Sequence, residues 1–246
     1  MPKQRLDLLL VSRGLFPSRE KAQRAIMAGE VAVGERTVDK PGSPVADDVV
    51  INIRATERYV GRGGLKMEGA LQAFALDPTG RVCLDIGAST GGFTDCLLQH
   101  GAAKVYAIDV GHSQLAWKIR SDPRVVVREH LNARYLTAED IPEPIDLCVI
   151  DVSFISLTLI LPPAFALLRA GGVLVALIKP QFELRREEVG KGGVVRDAAL
   201  HQSAVEKIRL FATESLRRCW VGVVDSPILG GEGNREFLAC MRNESA

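Results

Sequence analysis

Net charge, paired cysteines and long apolar runs are all missing from this sequence. The 31 Lys and Arg stand against 30 Asp and Glu, for a formal charge of +1. Overall charge therefore attracts no polyanion, and any basic patch must be local. The five cysteines (83, 96, 148, 219 and 240) have no close pairing and no C-x-x-C. They sit in apolar stretches, as small buried thiols do in a reducing cytosol. With the four histidines they make no metal-ligand spacing, so no metal is expected. No signal peptide is read at the start, because Lys3, Arg5 and Asp7 interrupt the only early apolar run. Val152 to Leu168 is free of charge but shorter than the ~20 apolar residues of a membrane span. Asp146 and Asp151 flank it and Pro162-Pro163 break it, so it reads as a strand end followed by a buried helix. A soluble cytoplasmic protein without stable membrane association is expected, of one large domain or two unequal ones.

What is present divides in two. Arg5 to Leu10 reads as a short helix closed by Gly14, and Arg19 to Ala28 as a second, with Ser18 as N-cap and Gly29 as terminator. Two strands follow at 31–33 and 49–53, separated by the turn-rich Pro41-Gly42-Ser43-Pro44. Up to residue 24, six cations (Lys3, Arg5, Arg13, Arg19, Lys21, Arg24) face two acids (Asp7, Glu20). A solvated helix surface explains such a cluster on charge alone. The wider pattern, with Arg5-Leu6-Asp7, the turn Ser18 to Ala22 and Ile26-x-x-Gly29-x-Val31-x-Val33, resembles the small ribosomal S4-type RNA-binding domain. The resemblance implies RNA binding through Arg5, Arg13, Arg19, Lys21, Arg24 and, further on, Arg62. The domains are accordingly set at 1–58 for the S4-like part, 59–64 for a glycine-rich linker and 65–246 for the remainder.

From residue 65 strands alternate with helical patterns, which argues for a parallel sheet covered by helices. Strands are read at 82–86, 104–109, 124–127, 145–151 and 173–178, then a helix at 197–216 and a terminal hairpin of 219–225 and 236–242. Residues 82–95 run from an apolar strand ending near Asp85 through Gly87, Ser89, Gly91 and Gly92 into a helix with Phe93, Thr94 and Asp95. This is not G-x-G-x-x-G, because Ser89 stands where the middle glycine lets a pyrophosphate meet the backbone. The compact carboxylate of S-adenosylmethionine fits the loop and the helix start better than a dinucleotide does. Asp109, 22 positions after Gly87, can accept both hydroxyls of an adenosine ribose, and Asn132 either reaches an adenine edge or closes a turn.

A lysine leaving an apolar strand, Lys179 after Ile178, is expensive unless paired, and Asp151 on the neighbouring strand offers the partner. The turn Asp151-Val152-Ser153-Phe154 lacks the prolines of amine-methylating enzymes, and no cysteine follows a proline as a cytosine C5 nucleophile does. Lys66, Asp151, Lys179 and Glu236 instead resemble the Lys-Asp-Lys-Glu tetrad of FtsJ-like RNA 2′-O-methyltransferases. Arg62 to Lys66, Asp85 to Asp95, Asp151 to Ser156, Lys179 to Glu183 and Gly192 to Asp197 bring the chain closest to the TlyA, or haemolysin A, family. That resemblance covers nearly the whole chain. It implies an α/β class I methyltransferase fold, a mostly parallel seven-stranded sheet with an antiparallel C-terminal hairpin, behind the S4-type domain. It also implies methylation of cytidine ribose in ribosomal RNA or ribosomal subunits, with S-adenosylmethionine as donor and Lys179 as base. Asp85, Gly87, Ser89, Gly91, Gly92, Phe93, Thr94, Asp109 and Asn132 are the expected cofactor residues. A membrane-lysing protein and an RNA-binding protein with an inactive methyltransferase domain are the alternatives.

Overall fold

The computed structural model describes residues 3–53 and 58–245, and the chain divides into two compact units at residues 58 and 59. Residues 54–57, assigned above to the end of the first domain, lie outside the described residues.

In the N-terminal unit, β1 (Lys3–Arg5) runs into α1 (Leu6–Ser12), followed by α2 (Arg19–Met27). Four short strands complete it: β2 (Val31–Val33), β3 (Arg36–Thr37), β4 (Pro44–Ala46) and β5 (Ile51–Ile53). β2 pairs antiparallel with β3 and β5, and β1 with β4. Ser18 accepts the Lys21 N–H at 3.3 Å, which satisfies one of the open donors at the start of α2. Leu6, Leu9 and Leu10 of α1 pack with Ala22, Ala25 and Ile26 of α2 and with Val31. β1, β3 and β4 were not foreseen, because two or three residues carry no readable period.

Asp7 lies inside this small core with its side chain fully buried. Its carboxylate accepts from Arg5 Nε and Nη2 at 3.0 Å each, Arg19 Nε at 2.9 Å, Gln23 Nε2 at 2.7 Å and the Leu8 N–H at 3.0 Å. The Arg5 guanidinium, joined by Gln23 and Arg19, holds the carboxyl well below the usual carboxylate range despite burial. One charge thereby ties β1, α1 and α2 together.

The second unit begins with α3 (Gly63–Ala73), β6 (Val82–Ile86), α4 (Gly92–Gln99), β7 (Lys104–Ile108), α5 (Trp117–Arg120) and β8 (Val125–Arg128). β9 (Ile145–Ile150), α6 (Leu161–Leu167), β10 (Leu168–Ile178), α7 (Pro180–Glu183), α8 (Ala198–Leu210), β11 (Arg218–Asp225) and β12 (Phe237–Ser245) follow. The seven strands lie in the order β11-β12-β10-β9-β6-β7-β8. β8 to β10 are parallel throughout, and β12 is antiparallel to both β10 and β11. This is the open sheet with a terminal hairpin that the sequence implies. Alternate residues face two apolar layers: Leu147, Val149, Val175 and Leu177 one, Cys148, Ile150, Leu174 and Ala176 the other. Both faces are covered, so these strands read as unbroken apolar runs.

Several boundaries differ from expectation, among them β5, which starts at Ile51, α8, which ends at Leu210, and β12, which runs to Ser245. β10 starts at Leu168 and passes through a register shift before Val173. Residues 59–64 are packed into the second unit and do not act as a free linker. Tyr59 is 3% exposed in the core with Met67 and Leu97, and the Val60 N–H donates to Asp95 Oδ2 at 2.9 Å. A single aromatic in a glycine-rich run has no periodicity to announce its burial. The uncharged stretch after Asp151 becomes a short turn and the buried helix α6. Among the described residues, no helix is long and apolar enough to cross a membrane.

Asp7 generates a prediction for the N-terminal unit. A depressed carboxyl contributes stability that is present above its unfolded pKa of about 4 and lost as pH falls below it. Asp7→Ala should destabilise the unit by about 1–3 kcal/mol at neutral pH and by less at pH 3. Amide exchange over residues 6–12 and 19–27 of the full chain measures both values.

Candidate active site

Register assembles the site. Ile86 of β6 pairs with Ile108 of β7 and Ile150 of β9, and Ile178 of β10 pairs with Phe237 of β12. Gly87, Asp109, Asp151 and Lys179 each follow a strand directly, and Glu236 directly precedes β12. All five therefore leave the sheet along one edge, where polar groups are reachable in an open α/β sheet.

Gly87 has φ 87°, and a Cβ there would run into the Asp151 carbonyl oxygen, so only glycine lets this loop lie against the end of β9. Ser89, at φ 48°, donates its N–H to Asp109 Oδ2 at 2.8 Å, and the Gly111 N–H reaches Asp109 Oδ1 at 2.8 Å. A cavity of about 440 Å³ is lined by Gly87, Ser89, Asp109, Asn132, Asp151 and Phe154, among others. Asn132 combines the two readings open to it, since it lines the cavity while its Oδ1 accepts the Arg134 N–H at 3.0 Å. Gly91, Gly92, Phe93 and Thr94 do not line it. Phe93 is buried in the core, and Thr94 Oγ1 donates to Asp85 Oδ2 at 2.6 Å. The other Asp85 oxygen is buried and has no hydrogen-bond partner among the described residues. Burial pushes this carboxyl up to about 7, with the Asp151 charge adding to the rise and the Thr94 bond opposing it.

Two ion pairs stand at the same edge of the sheet, and of their four residues only Asp151 lines the cavity. Lys66 Nζ, from α3, lies 2.5 Å from Glu236 Oε2, with side chains 10% and 2% exposed. Lys179 Nζ lies 2.6 Å from Asp151 Oδ1 and donates to Ser153 Oγ at 2.9 Å. The Asp151 contact is ionic, and the aligned hydrogen bond goes to Ser153. Gly230 leaves room for the Glu236 carboxylate, which a Cβ at that position would overlap. Phe154 is 91% exposed at φ 64°, with its ring 5.0 Å from that of Phe182. Ser153 and Phe154 belong to a motif quoted above, yet nothing in the sequence assigned them a place. Three thiols are poor nucleophiles: burial pushes Cys83 up to about 12, Cys240 to about 11 and Cys148 well above its ordinary value.

The basic residues separate by role. Arg5 and Arg19 are tied to Asp7, and Arg13 donates to the backbone carbonyls of Val49 and Asp47. Lys21 and Arg24 are exposed on α2, and Arg62 is exposed before α3.

Residues 59–243 match the FtsJ-like methyltransferase family, and residues 4–51 match the S4 domain. The chain belongs to the FtsJ-like methyltransferase family. Across its full length it is 46% identical to the 16S/23S rRNA (cytidine-2′-O)-methyltransferase TlyA of Mycobacterium tuberculosis, over 99% of this chain and 91% of that one. It is 45% identical to hemolysin A of Brachyspira hyodysenteriae, over 96% and 98%. A solved structure from Streptococcus thermophilus that carries the hemolysin name superposes with a TM-score of 0.75 at 46% identity, covering 98% of this chain and 89% of that one. In the FtsJ-like unit described here the two ion pairs are complete.

Asp85 generates a stability prediction. A raised folded-state carboxyl favours the protonated form, so its burial is tolerated at low pH and weakens the fold as pH rises from about 4 through 7. Asp85→Asn should leave the melting temperature of the ligand-free protein nearly unchanged at pH 3, below the unfolded-state pKa. At pH 8 it should raise stability by about 2–4 kcal/mol, read from denaturant midpoints at the two pH values.

Proposed function

We propose that this chain transfers a methyl group from S-adenosylmethionine to the 2′-hydroxyl of a cytidine in ribosomal RNA, in the cytoplasm. The observation that carries the reading is the pair of lysine–carboxylate contacts at the sheet edge that holds the cavity, Lys66–Glu236 and Lys179–Asp151, the latter reaching the cavity through Asp151. Near-whole-length similarity to a protein named as an rRNA (cytidine-2′-O)-methyltransferase supports the substrate.

The residues present fit the donor. The unpartnered Asp85 oxygen suits an ammonium group, Asp109 suits a ribose diol, and Asn132 lies on the cavity wall for a base edge. When bound, S-adenosylmethionine supplies an electrophilic methyl group.

On the acceptor side, Lys179, in the neutral form that the nearby Lys66 cation favours, takes the proton of the ribose hydroxyl, a group too weakly acidic to ionise unaided at neutral pH. Asp151 and Ser153 hold its Nζ in place. Lys66, steered by Glu236, stabilises the negative charge that develops on the ribose oxygen. Proton removal of this kind contributes roughly 10²–10⁴-fold, and alignment supplies the rest. The exposed cations of the S4 domain, Lys21 and Arg24, suit phosphate contacts that grip structured RNA by shape.

Two measurements test the reading. Lys179→Ala should bind S-adenosylmethionine as tightly as wild type in calorimetry and transfer no labelled methyl group to separated ribosomal subunits. Turnover near wild type overturns the base assignment, and methylation of protein or base nitrogen overturns the substrate. Because the ammonium favours ionised Asp85, donor affinity should fall by up to about tenfold per pH unit below 7. Asp85→Asn should bind more weakly at neutral pH, with a flat profile.

A further inference from the structure

Glu183 is a buried carboxylate that the chemistry above does not use. Its side chain is 1% exposed, and it closes α7, the single turn that begins directly after Lys179. Its oxygens point away from the cavity contacts of Lys179 and toward the loop that follows β9. Oε2 accepts the Ser156 hydroxyl at 2.6 Å and Oε1 accepts the Leu157 N–H at 2.8 Å. Lys207 of α8 supplies the counter-charge, with Nζ 3.0 Å from Oε2 and 2.6 Å from the Glu183 carbonyl oxygen. A buried carboxylate is tolerable with such a partner and costly without it.

The same loop and the same turn meet twice more. Ser153 Oγ accepts from Lys179 Nζ, and the Phe154 ring lies 5.0 Å from Phe182. Among the described contacts, α7 and the loop are thus joined at a Lys179 end and at a Glu183 end, with Phe154 between them. Phe154 sits in a left-handed conformation that a bulky residue adopts only when its surroundings impose it. An exposed aromatic gains nothing from its own burial, so the restraint must come from the loop's two ends.

We propose that Glu183 is a positioning residue for the transfer reaction: it latches the Ser153–Ser156 loop to α7 and thereby fixes Ser153 and Phe154 relative to Lys179. Glu183 touches neither reactant. It acts by removing slack between the group that takes the proton and the loop that borders the acceptor's place in the cavity. The proposal rests on the ribose-methylating reading of the site, and its test separates the two.

Glu183→Ala should lower kcat for ribosomal RNA by about 10- to 100-fold, the scale expected for a misplacement near 1 Å. S-adenosylmethionine affinity by calorimetry should stay within about twofold of wild type, because the Gly87–Asp109 side of the cavity is untouched. Hydrogen exchange in the full chain should speed up over residues 153–160 and not over β6 or β7. Glu183→Gln combined with Lys207→Met keeps an acceptor for Leu157 and a donor for Ser156 without stranding an ammonium. It should return kcat to within about threefold of wild type. Unchanged exchange over 153–160 in Glu183→Ala overturns the latch, and so does unchanged kcat. A parallel loss of donor affinity, melting temperature and activity also overturns it, since that pattern marks a residue that merely supports the fold. Lys179→Ala assayed alongside keeps the readings apart. If it retains turnover while Glu183→Ala loosens the loop and loses turnover, the base assignment fails and the latch stands.

Discussion

A lysine stays inside a protein only beside a counter-charge, and the carboxyl edge of this sheet meets that requirement twice. Lys179 and Asp151 follow adjacent parallel strands, so the register that pairs Ala176 with Ile150 also brings the two charges together. Lys66 arrives from α3, far away in sequence, and meets Glu236 at the start of β12. The pairing of Ile178 with Phe237 places Glu236 next to the end of β10. Each pair restrains its lysine in a position where a free side chain would turn to solvent.

The N-terminal unit applies the same physics with the sign reversed. There a carboxylate, Asp7, is the buried charge, and two arginines and a glutamine on neighbouring elements converge on it. A unit with so few buried apolar residues gains a large share of its order from one such node. Arg5 and Arg19 give hydrogen bonds to Asp7 while staying about half exposed, and Lys21 and Arg24 are exposed as well.

Much of this organisation was legible in the residues. The alternation of apolar strands and helical segments announced the sheet, and the strands at 82–86 and 145–150 fell within a residue of their expected ends. Ser18 read correctly as a cap because capping is a local bond between a side chain and a backbone three residues on. The packing of residues 59–64 was not legible, because Tyr59 lies against the bare backbone of Gly64 in a core that includes the distant Leu97, and neither contact leaves a periodic pattern. The short strands β3 and β4 went unseen for a related reason: their pairing partners, not their own composition, make them strands. Of the residues expected around the donor, Gly87, Ser89, Asp109 and Asn132 share one cavity wall, while Phe93 turned inward to the core. Glycine-rich loops signal close approach of the backbone without saying which side chains face the ligand.

By itself the sequence determined which charges had to be accommodated: a lysine after an apolar strand, an acid at the next strand end, an acid inside a short apolar helix. It also determined the type and order of the long elements, since period and composition act over a few neighbouring residues. Asp151 was already the expected partner of Lys179, but only the tertiary structure decided that Lys66 meets Glu236. Lys66 and Glu236 are separated by 170 positions, and no local pattern encodes a contact across that distance. The latch of Glu183 onto Ser156 and Leu157 belongs to the same class. Such contacts exist because strand register and helix packing bring distant backbone to one edge, where the cost of an unpaired buried charge selects the partner.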